Sequence, residues 1–493
     1  MSSPSSGPLG YVRSGAEPHR FSIIAGRPIR VGEYVRVRDG EGHILGLVER
    51  APVHSHALDL ATNYQSAAET SRSASENPRD KLYSAEVYSL GLLEELKQGR
   101  LMKPSLPPMP GEPVEEVGED DLAQVFSPQG PQWVRVGALL RRRAVPVKVN
   151  VNAVASRHLA ILAKTGSGKS NLLALLAKHI SELGGTIIIF DYHGEYGELK
   201  VRAKHLVQPK LDPLRLSGDE LADLLDIRPS ASRQRDLVVR AQRSAGNQAQ
   251  GYWERLEAFI EQDEKAKEET KEAVLRQLRQ TLMRMGRILE PGYGSTLEAL
   301  RPDAVNIVDL SDLSEAQADL LIAWYLDDLL LDKKAKRSKF ADVPVLCALE
   351  EAHTFLPGDR DTWTKPVAAR VAREGRKFGL ALILISQRPS KLDQDALSQM
   401  GSLAVMNLTQ PRDQQYIIEA TGELSEQMAT YLPSLNPGEA ILLGRWVTLP
   451  TLVMLDQAEE KLAGRDIDAV HEWGRRRRGK EVARESASEF LRE

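Results

Sequence analysis

Between residues 163 and 173 the chain reads AKTGSGKSNLL, where glycines, lysines and hydroxyl side chains interrupt an apolar context. Thr165, Gly166, Ser167, Gly168, Lys169, Ser170 and Asn171 are residues of the types that cradle a polyphosphate. The glycines let successive backbone N–H groups converge on one anion, Lys169 can reach the β- and γ-phosphates, and the Ser170 hydroxyl can ligate Mg²⁺. The first position of the usual pattern holds Ala163 in place of Gly, and a side chain that small still permits the turn. HLAILA before the loop reads as a strand and SNLLALLAKHISEL after it as an amphipathic helix. The loop therefore falls where a helix N-terminus adds its dipole to anion binding. ATP with Mg²⁺ is the ligand expected there; a tight turn with an incidental lysine is the plainer alternative.

VPVLCALEEAHTFLP supplies the second piece, an apolar strand ending in Glu350 and Glu351. Ligands of open α/β sheets gather at such C-terminal strand ends. Glu350 is expected to hold Mg²⁺ through water, although Asp is commoner at that position, and Glu351 to orient and polarise an attacking water. An exposed acidic strand end would look the same in isolation. In LALILISQRPS, Gln387 follows another apolar strand directly and is the candidate sensor of the γ-phosphate, with a loop-capping amide as the alternative. Phosphoryl transfer also calls for an arginine, which a neighbouring subunit can supply. ARVAREGRKFG offers Arg370, Arg373 and Lys377 on one helical face and Arg376 near the helix end. Cations there are also stabilised by the helix dipole without any catalytic role, and spacing does not choose between them.

The elements that must position these residues follow from the rest of the chain. At 493 residues it is too long for one hydrophobic core. With 27% charged and 42% hydrophobic residues it reads as a soluble globular protein. The formal net charge of −4 argues against a uniformly basic coat but leaves room for a local basic channel. Cys347 is the single cysteine, so neither an internal disulfide nor a cysteine metal cluster is available. No apolar run approaches the roughly 20 residues of a spanning helix, and MSSPSSGPL lacks the regions of a secretion signal. No membrane attachment and a cytoplasmic setting are expected.

From Tyr11 to about Val48, short β-branched and aromatic runs alternate with Gly and Pro, the pattern of a small antiparallel barrel. Residues 62–80 are polar and read as an exposed insertion or mobile loop, after which KLYSAEVYSLGLL resumes the strands. The first domain is placed at 1–150. The runs HLAILA, TIIIFD, VNIVDL, VPVLCALE, LALILIS, SLAVMN and EAILLG then alternate with helical patterns. Several are apolar throughout, as parallel strands covered on both faces are, so the fold class is α/β with a doubly wound, mostly parallel sheet. Its core is assigned to 151–200 and 305–456. The segment 201–304, rich in Leu at helical spacing with Trp253, Leu256, Phe259 and Ile260 on one face, reads as an inserted helical bundle. A tail over 457–493 carries the basic run Arg475 to Arg478.

TGSGKS, FDYHGEY at 190–196, LEEAH at 349–353, REGRKFG and SQRPS together resemble the HerA family of hexameric DNA translocases, over most of the chain. FDYHGEY is the most specific of these. The resemblance implies a small N-terminal β-barrel, a RecA-like P-loop core related to that of FtsK, and a helical insertion. It also implies a homo-hexameric ring with nucleotide at each interface, DNA in a central channel, and a NurA-type nuclease as partner in DNA-end resection. Carried onto this sequence, it puts Lys169 and Ser170 at the phosphates and Mg²⁺, Glu350 and Glu351 at the metal and water, and Gln387 at the γ-phosphate. Arg376 matches the family's interface arginine, and Arg157 looks like a second one. Asp191, His193 and Glu195 are expected at a strand end facing the nucleotide, Asp191 as a binding residue; ordering of the turn is the alternative for them. PGDRDTWTK at 357–365 offers Arg360, Trp363 and Lys365 as a DNA-contacting loop, with an ordinary solvated loop as the alternative. Other function classes remain open: a ring ATPase moving another polymer, or an ATP-binding platform that activates a nuclease.

Overall fold

Alternation of apolar and polar residues builds seven short strands at the N-terminal end: β1 Gly10–Val12, β2 Arg20–Ala25, β3 Tyr34–Arg38, β4 His43–Arg50, β5 Val53–Ser55, β6 Lys81–Leu92 and β7 Pro113–Glu116. In β2, Phe21, Ile23 and Ala25 point inward, the period of a half-buried strand. The strands run in the order β2-β1-β7-β3-β4-β6, and β6 pairs back onto β2, so the sheet closes into a barrel with β5 outside β6. Closure removes the free edges that would invite pairing with other chains. The computed structural model describes residues 7–40, 42–76, 80–422 and 424–458. The Arg475 to Arg478 run lies outside them.

Two sequence expectations shift here. The polar segment after residue 62 forms a helix over Tyr64–Glu76. Its Ala, Ser and Glu residues tolerate helix while giving no apolar stripe to reveal it. The boundary placed at 150 is also wrong, because β8 Trp133–Leu139 and β9 Arg142–Asn150 belong to the larger sheet. Both carry the alternation of a hairpin, and nothing local says which sheet receives them.

That sheet has eleven strands. The others are β10 Leu159–Leu162, β11 Thr186–Asp191, β12 Lys204–Val207, β13 Val305–Asp309, β14 Val345–Leu349, β15 Leu380–Ser386, β16 Ser402–Val405, β17 Glu439–Gly444 and β18 Thr451–Leu455. Their order is β12-β13-β11-β14-β15-β10-β16-β17-β18-β8-β9, parallel from β12 to β16 and antiparallel beyond. All seven predicted core strands are present. Missed were β12, a short edge strand with only Val207 buried, and β18. Both faces of the parallel strands are covered. Ala160, Leu162, Ile188, Phe190, Cys347 and Leu349 pack into one apolar cluster, whereas Leu159, Ile161, Ile187, Ile189, Leu346 and Ala348 pack into the other.

The insertion begins after β12 and contains helices over Gly218–Leu224, Ser232–Ala245, Tyr252–Gln262 and Glu268–Met285. In the last of these Val274, Leu278, Thr281 and Met285 are buried, one face at helical spacing. The bundle packs against the long helix Glu315–Ala335, which Ser314 and Gln317 start with a reciprocal capping box. Polar bolts fix the joint. Buried Asp212 accepts from the backbone N–H groups of Leu214, Gly292 and Gly294, each at 3.0 Å. Arg215 donates twice to Asp328 at 2.7 Å, and the Thr296 hydroxyl donates to the same carboxylate at 2.7 Å. Among the described residues no helix is long and apolar enough to cross a membrane.

Asp328 is 8% exposed, so removing it strands a partly buried guanidinium and a buried hydroxyl. Asp328→Ala is expected to destabilise the insertion by roughly 2–4 kcal/mol. Amide hydrogen exchange should show faster opening over 208–300 than over the barrel strands.

Candidate active site

Parallel register brings four strand ends to one edge of the sheet. Leu162 pairs with Ser386, Leu349 with Leu384, and Phe190 with Leu349. The loop after β10, Gln387 after β15, Glu350 and Glu351 after β14, and the HGEY turn after β11 therefore meet. They enclose a cavity of about 540 Å³ lined by Thr165, Gly166, Gly168, Lys169, Ser170, Asn171, His193, Glu195, Glu350, Glu351 and Gln387.

The phosphate loop has the conformation its glycines allow. Gly166 and Gly168 hold φ of 76° and 116°, where a side chain would be strained. Gly168 caps the helix Lys169–Glu182 without any side-chain hydrogen bond, so the first N–H groups of that helix are left for an anion. The Lys169 ammonium donates to the Lys164 carbonyl at 3.2 Å and faces Glu351, Glu350 and Glu195. Burial lowers its pKa, and those carboxylates work in the opposite direction. Ser167 is buried beneath the loop, where its carbonyl accepts from Gly438 N–H at 3.0 Å. Asn171 also lines the cavity. Its side chain is committed elsewhere, donating to the Asp456 carbonyl at 2.9 Å and accepting from Ala458 N–H at 2.8 Å.

Glu350 is 5% exposed. One of its oxygens accepts from the Tyr196 phenol at 2.8 Å, and the other is buried with no hydrogen-bond partner among the described residues. Burial raises its pKa from the ordinary 4.5 to about 8, with Asp191, Glu195 and Glu351 adding to the rise against the Tyr196 hydrogen bond. An orphaned carboxylate oxygen, close to a Ser170 hydroxyl that itself neighbours the Tyr196 phenol, suits a hard cation completed by phosphate oxygens. Mg²⁺ fits this donor set. Tyr196, fully buried, is a positioning residue that the sequence reading quoted without assigning a role.

Asp191 is corrected. It is 1% exposed and absent from the cavity wall, because its two oxygens accept from Glu195 N–H at 3.0 Å and Tyr196 N–H at 2.9 Å. It shapes the turn that delivers His193, Glu195 and Tyr196, and burial raises its pKa.

Glu351 has φ 45° and ψ 42°, a left-handed backbone rare for a residue with a side chain. Such strain persists where surrounding contacts over-determine it. Gln387 donates to its Oε1 at 3.1 Å, His193 Nε2 approaches the same oxygen at 3.4 Å, and His353 Nδ1 lies 3.2 Å from Oε2. Gln387 in turn accepts from the Thr165 hydroxyl. One amide thus links the phosphate loop to the carboxylate. His353, which sequence reasoning passed over, carries no motif signal beyond its place in LEEAH.

The predicted arginines are not at this edge. Arg157 precedes β10 and Arg376 precedes β15, so both lie at the N-terminal ends of strands whose C-terminal ends carry the cavity. The length of β15 alone separates the edges by roughly 20 Å. The 357–365 loop is also less free than its sequence suggests. Arg360 pairs with Glu315, and Lys365 sits 3.1 Å from Asp393, which leaves Trp363 37% exposed.

A phosphate loop on one strand, a carboxylate pair two strands away and a polar amide on the strand between define a RecA-like P-loop ATPase. The chain belongs to the HerA family of ATP-driven helicases. The DNA double-strand break repair helicase HerA of Sulfolobus acidocaldarius is 35% identical to it across 98% of this chain and 99% of its own length. The protein of the same name from Saccharolobus solfataricus is 35% identical over 97% of each chain. The model of the central domain of the helicase HerA matches residues 134–329, starting at β8 where the larger sheet starts. VirB4 of Thermoanaerobacter pseudethanolicus, a solved structure, shares the fold with a TM-score of 0.51 at 17% identity, over 67% of this chain and 98% of that one.

Because the Glu350 pKa is raised, its neutral burial stabilises the fold fully below pH 4.5, and that contribution is lost as pH rises through about 8. In buffer free of metal and nucleotide, thermal unfolding of Glu350→Gln should lack this decline, so its Tm should rise relative to wild type between pH 6 and pH 9.

Proposed function

We propose that the chain is a DNA translocase that works as a homo-hexameric ring, hydrolysing ATP between subunits and drawing DNA through a central channel. The observation that carries this reading is the separation of the cavity from its arginines. Each chain has a phosphate cradle, a carboxylate pair and Gln387 on one edge, and on the opposite edge Arg157 and Arg376, which have no acidic partner among the described residues. A head-to-tail ring apposes those two edges, so Arg157 and Arg376 of one subunit reach the nucleotide of the next.

Within each site the roles follow from position. The N–H groups opening the helix at Lys169, together with the Lys169 ammonium, bind and orient the phosphates. Bound Mg²⁺, held by Ser170 and Glu350, would neutralise phosphate charge. Glu351, fixed by its left-handed backbone, is placed to orient a water in line with the γ-phosphate and accept its proton. Gln387, joined to Thr165 and Glu351, responds when the γ-phosphate leaves. The relatives' role in DNA double-strand break repair supports a place in the same process for this chain, the family resemblance supports a NurA-type nuclease as partner, and the single cysteine supports a cytoplasmic setting. With Arg360 and Lys365 paired internally, the 357–365 loop is a weak DNA contact unless Trp363 stacks on it.

The alternative of an ATP-binding platform for a nuclease is disfavoured by Glu351. A platform has no use for a strained carboxylate held by an amide that also touches the phosphate loop.

Hydrolysis is expected to rise several-fold with duplex DNA, and Lys169→Ala and Glu351→Gln should each lower kcat by at least about a hundredfold. Glu351→Gln should keep nucleotide binding. Activity indifferent to duplex DNA, or retained in Lys169→Ala, would overturn the translocase reading; full nuclease activation by Glu351→Gln would favour the platform.

A further inference from the structure

Three arginines distant in sequence gather at the edge opposite the phosphate cradle. Arg157 ends the helix Val151–Arg157, Arg376 lies in the turn before β15, and Arg445 opens the turn between β17 and β18. Gly401 stitches two of them together. Its N–H donates to the Arg157 carbonyl at 2.7 Å, and its own carbonyl accepts from Arg445 N–H at 2.9 Å. A Cβ on Gly401 would lie 2.9 Å from the Arg157 Cβ, and one on Gly444 would lie 2.4 Å from the Gly401 oxygen. Both positions therefore need glycine for the backbones to come this close. Trp446, fully buried next to Arg445, pins the turn, and its carbonyl accepts from Asn150 N–H at 2.7 Å. The placement of Arg445 is thus built by the fold.

Electrostatics gives the cluster its meaning. Arg376 and, less strongly, Arg445 repel the Arg157 guanidinium and lower its pKa. Among the described residues no carboxylate pairs with any of the three, whereas Arg135, Arg215, Arg240 and Arg370 each have an acidic partner. Like charges held together without a counter-ion favour binding of an anion. A nucleotide in the same chain's cradle is out of reach at the other edge, whereas one held by an adjacent copy is not.

We propose that Arg445 is a third member of an arginine clamp, with Arg157 and Arg376, that grips the γ-phosphate of a nucleotide held by an adjacent copy of this chain. The proposal rests on the interface reading given above. Arg445 has no motif signal, since GRW is unremarkable and its neighbours in space come from residues 157, 376 and 401. Separate guanidinium groups suit an anion whose charge spreads over three oxygens as the phosphoryl group transfers.

The test uses the full chain. Arg445→Ala is expected to lower kcat for ATP hydrolysis at least about tenfold with little change in KM. Arg445→Lys should recover part of the loss, keeping the charge without the planar fork. Assemblies are then re-formed from one-to-one mixtures of Lys169→Ala and Arg445→Ala subunits. If Arg445 acts on its neighbour, about a quarter of the interfaces pair an intact cradle with an intact arginine, and hydrolysis rises above that of either variant alone. A Lys169→Ala and Arg376→Ala mixture is run beside it. Rescue in that mixture but not with Arg445→Ala overturns the role of Arg445. Rescue in neither overturns the interface reading and the clamp with it. Wild-type kcat in Arg445→Ala with weakened duplex DNA binding would assign the residue to DNA phosphates and also overturn the clamp. Should Arg445→Ala fail to assemble, Arg445→Lys and Arg445→Gln go through the same mixtures.

Discussion

The chemistry of this molecule depends on the register of its parallel strands. Leu162 opposite Ser386 and Leu349 opposite Leu384 put the phosphate loop, Gln387 and the two glutamates within reach of one another. A slip of one residue in β14 or β15 would turn every side chain to the other face. Register is held because both faces are buried: alternate residues of each strand pack into different apolar clusters, so neither face tolerates the other's side chains.

The same burial that fixes the strands perturbs the groups at their ends. Glu350 is pushed up to about 8, with Tyr196 as the one hydrogen-bond partner of its carboxyl among the described residues, and Glu351 adopts a backbone that costs of order 1–3 kcal/mol. The fold tolerates a carboxyl that burial holds back from ionising and a strained residue with a fixed direction. Asp191 supports both indirectly. By accepting two backbone N–H groups it makes the turn that brings Tyr196 under Glu350 and His193 beside Glu351.

Around this sheet the other parts are additions. The barrel packs on one end through Tyr34, whose ring lies 5.0 Å from that of Phe126, and the helical insertion is fastened by Asp212 and the Arg215–Asp328 pair. Neither addition lines the nucleotide cavity. What the architecture does impose is polarity: the phosphate loop and Gln387 at the C-terminal ends of the strands, and at the other ends Arg157 and Arg376, without an acidic partner among the described residues. On the proposed head-to-tail ring, a single subunit would hold both halves of a site that only its neighbours complete.

Much of this could be read from the sequence. Apolar runs flanked by helical patterns identify the seven core strands because a strand buried on both faces leaves no other composition open to it. AKTGSGKS and LEEAH declare their chemistry because the backbone conformations and charges they need are local. The chain segment after residue 62 and the destination of β8 and β9 were not legible: helix without an apolar stripe has no period, and strand pairing is a long-range choice. Tertiary structure alone decided that Asp191 shapes a turn, that Asn171 ties down the C-terminal strand end, that Arg360 and Lys365 are neutralised, and that Arg445 joins Arg157. Apart from the Asp191 turn, whose partners Glu195 and Tyr196 are close in sequence, each of those outcomes is set by partners far away in the chain, and a sequence lists residues without saying which of them will be neighbours.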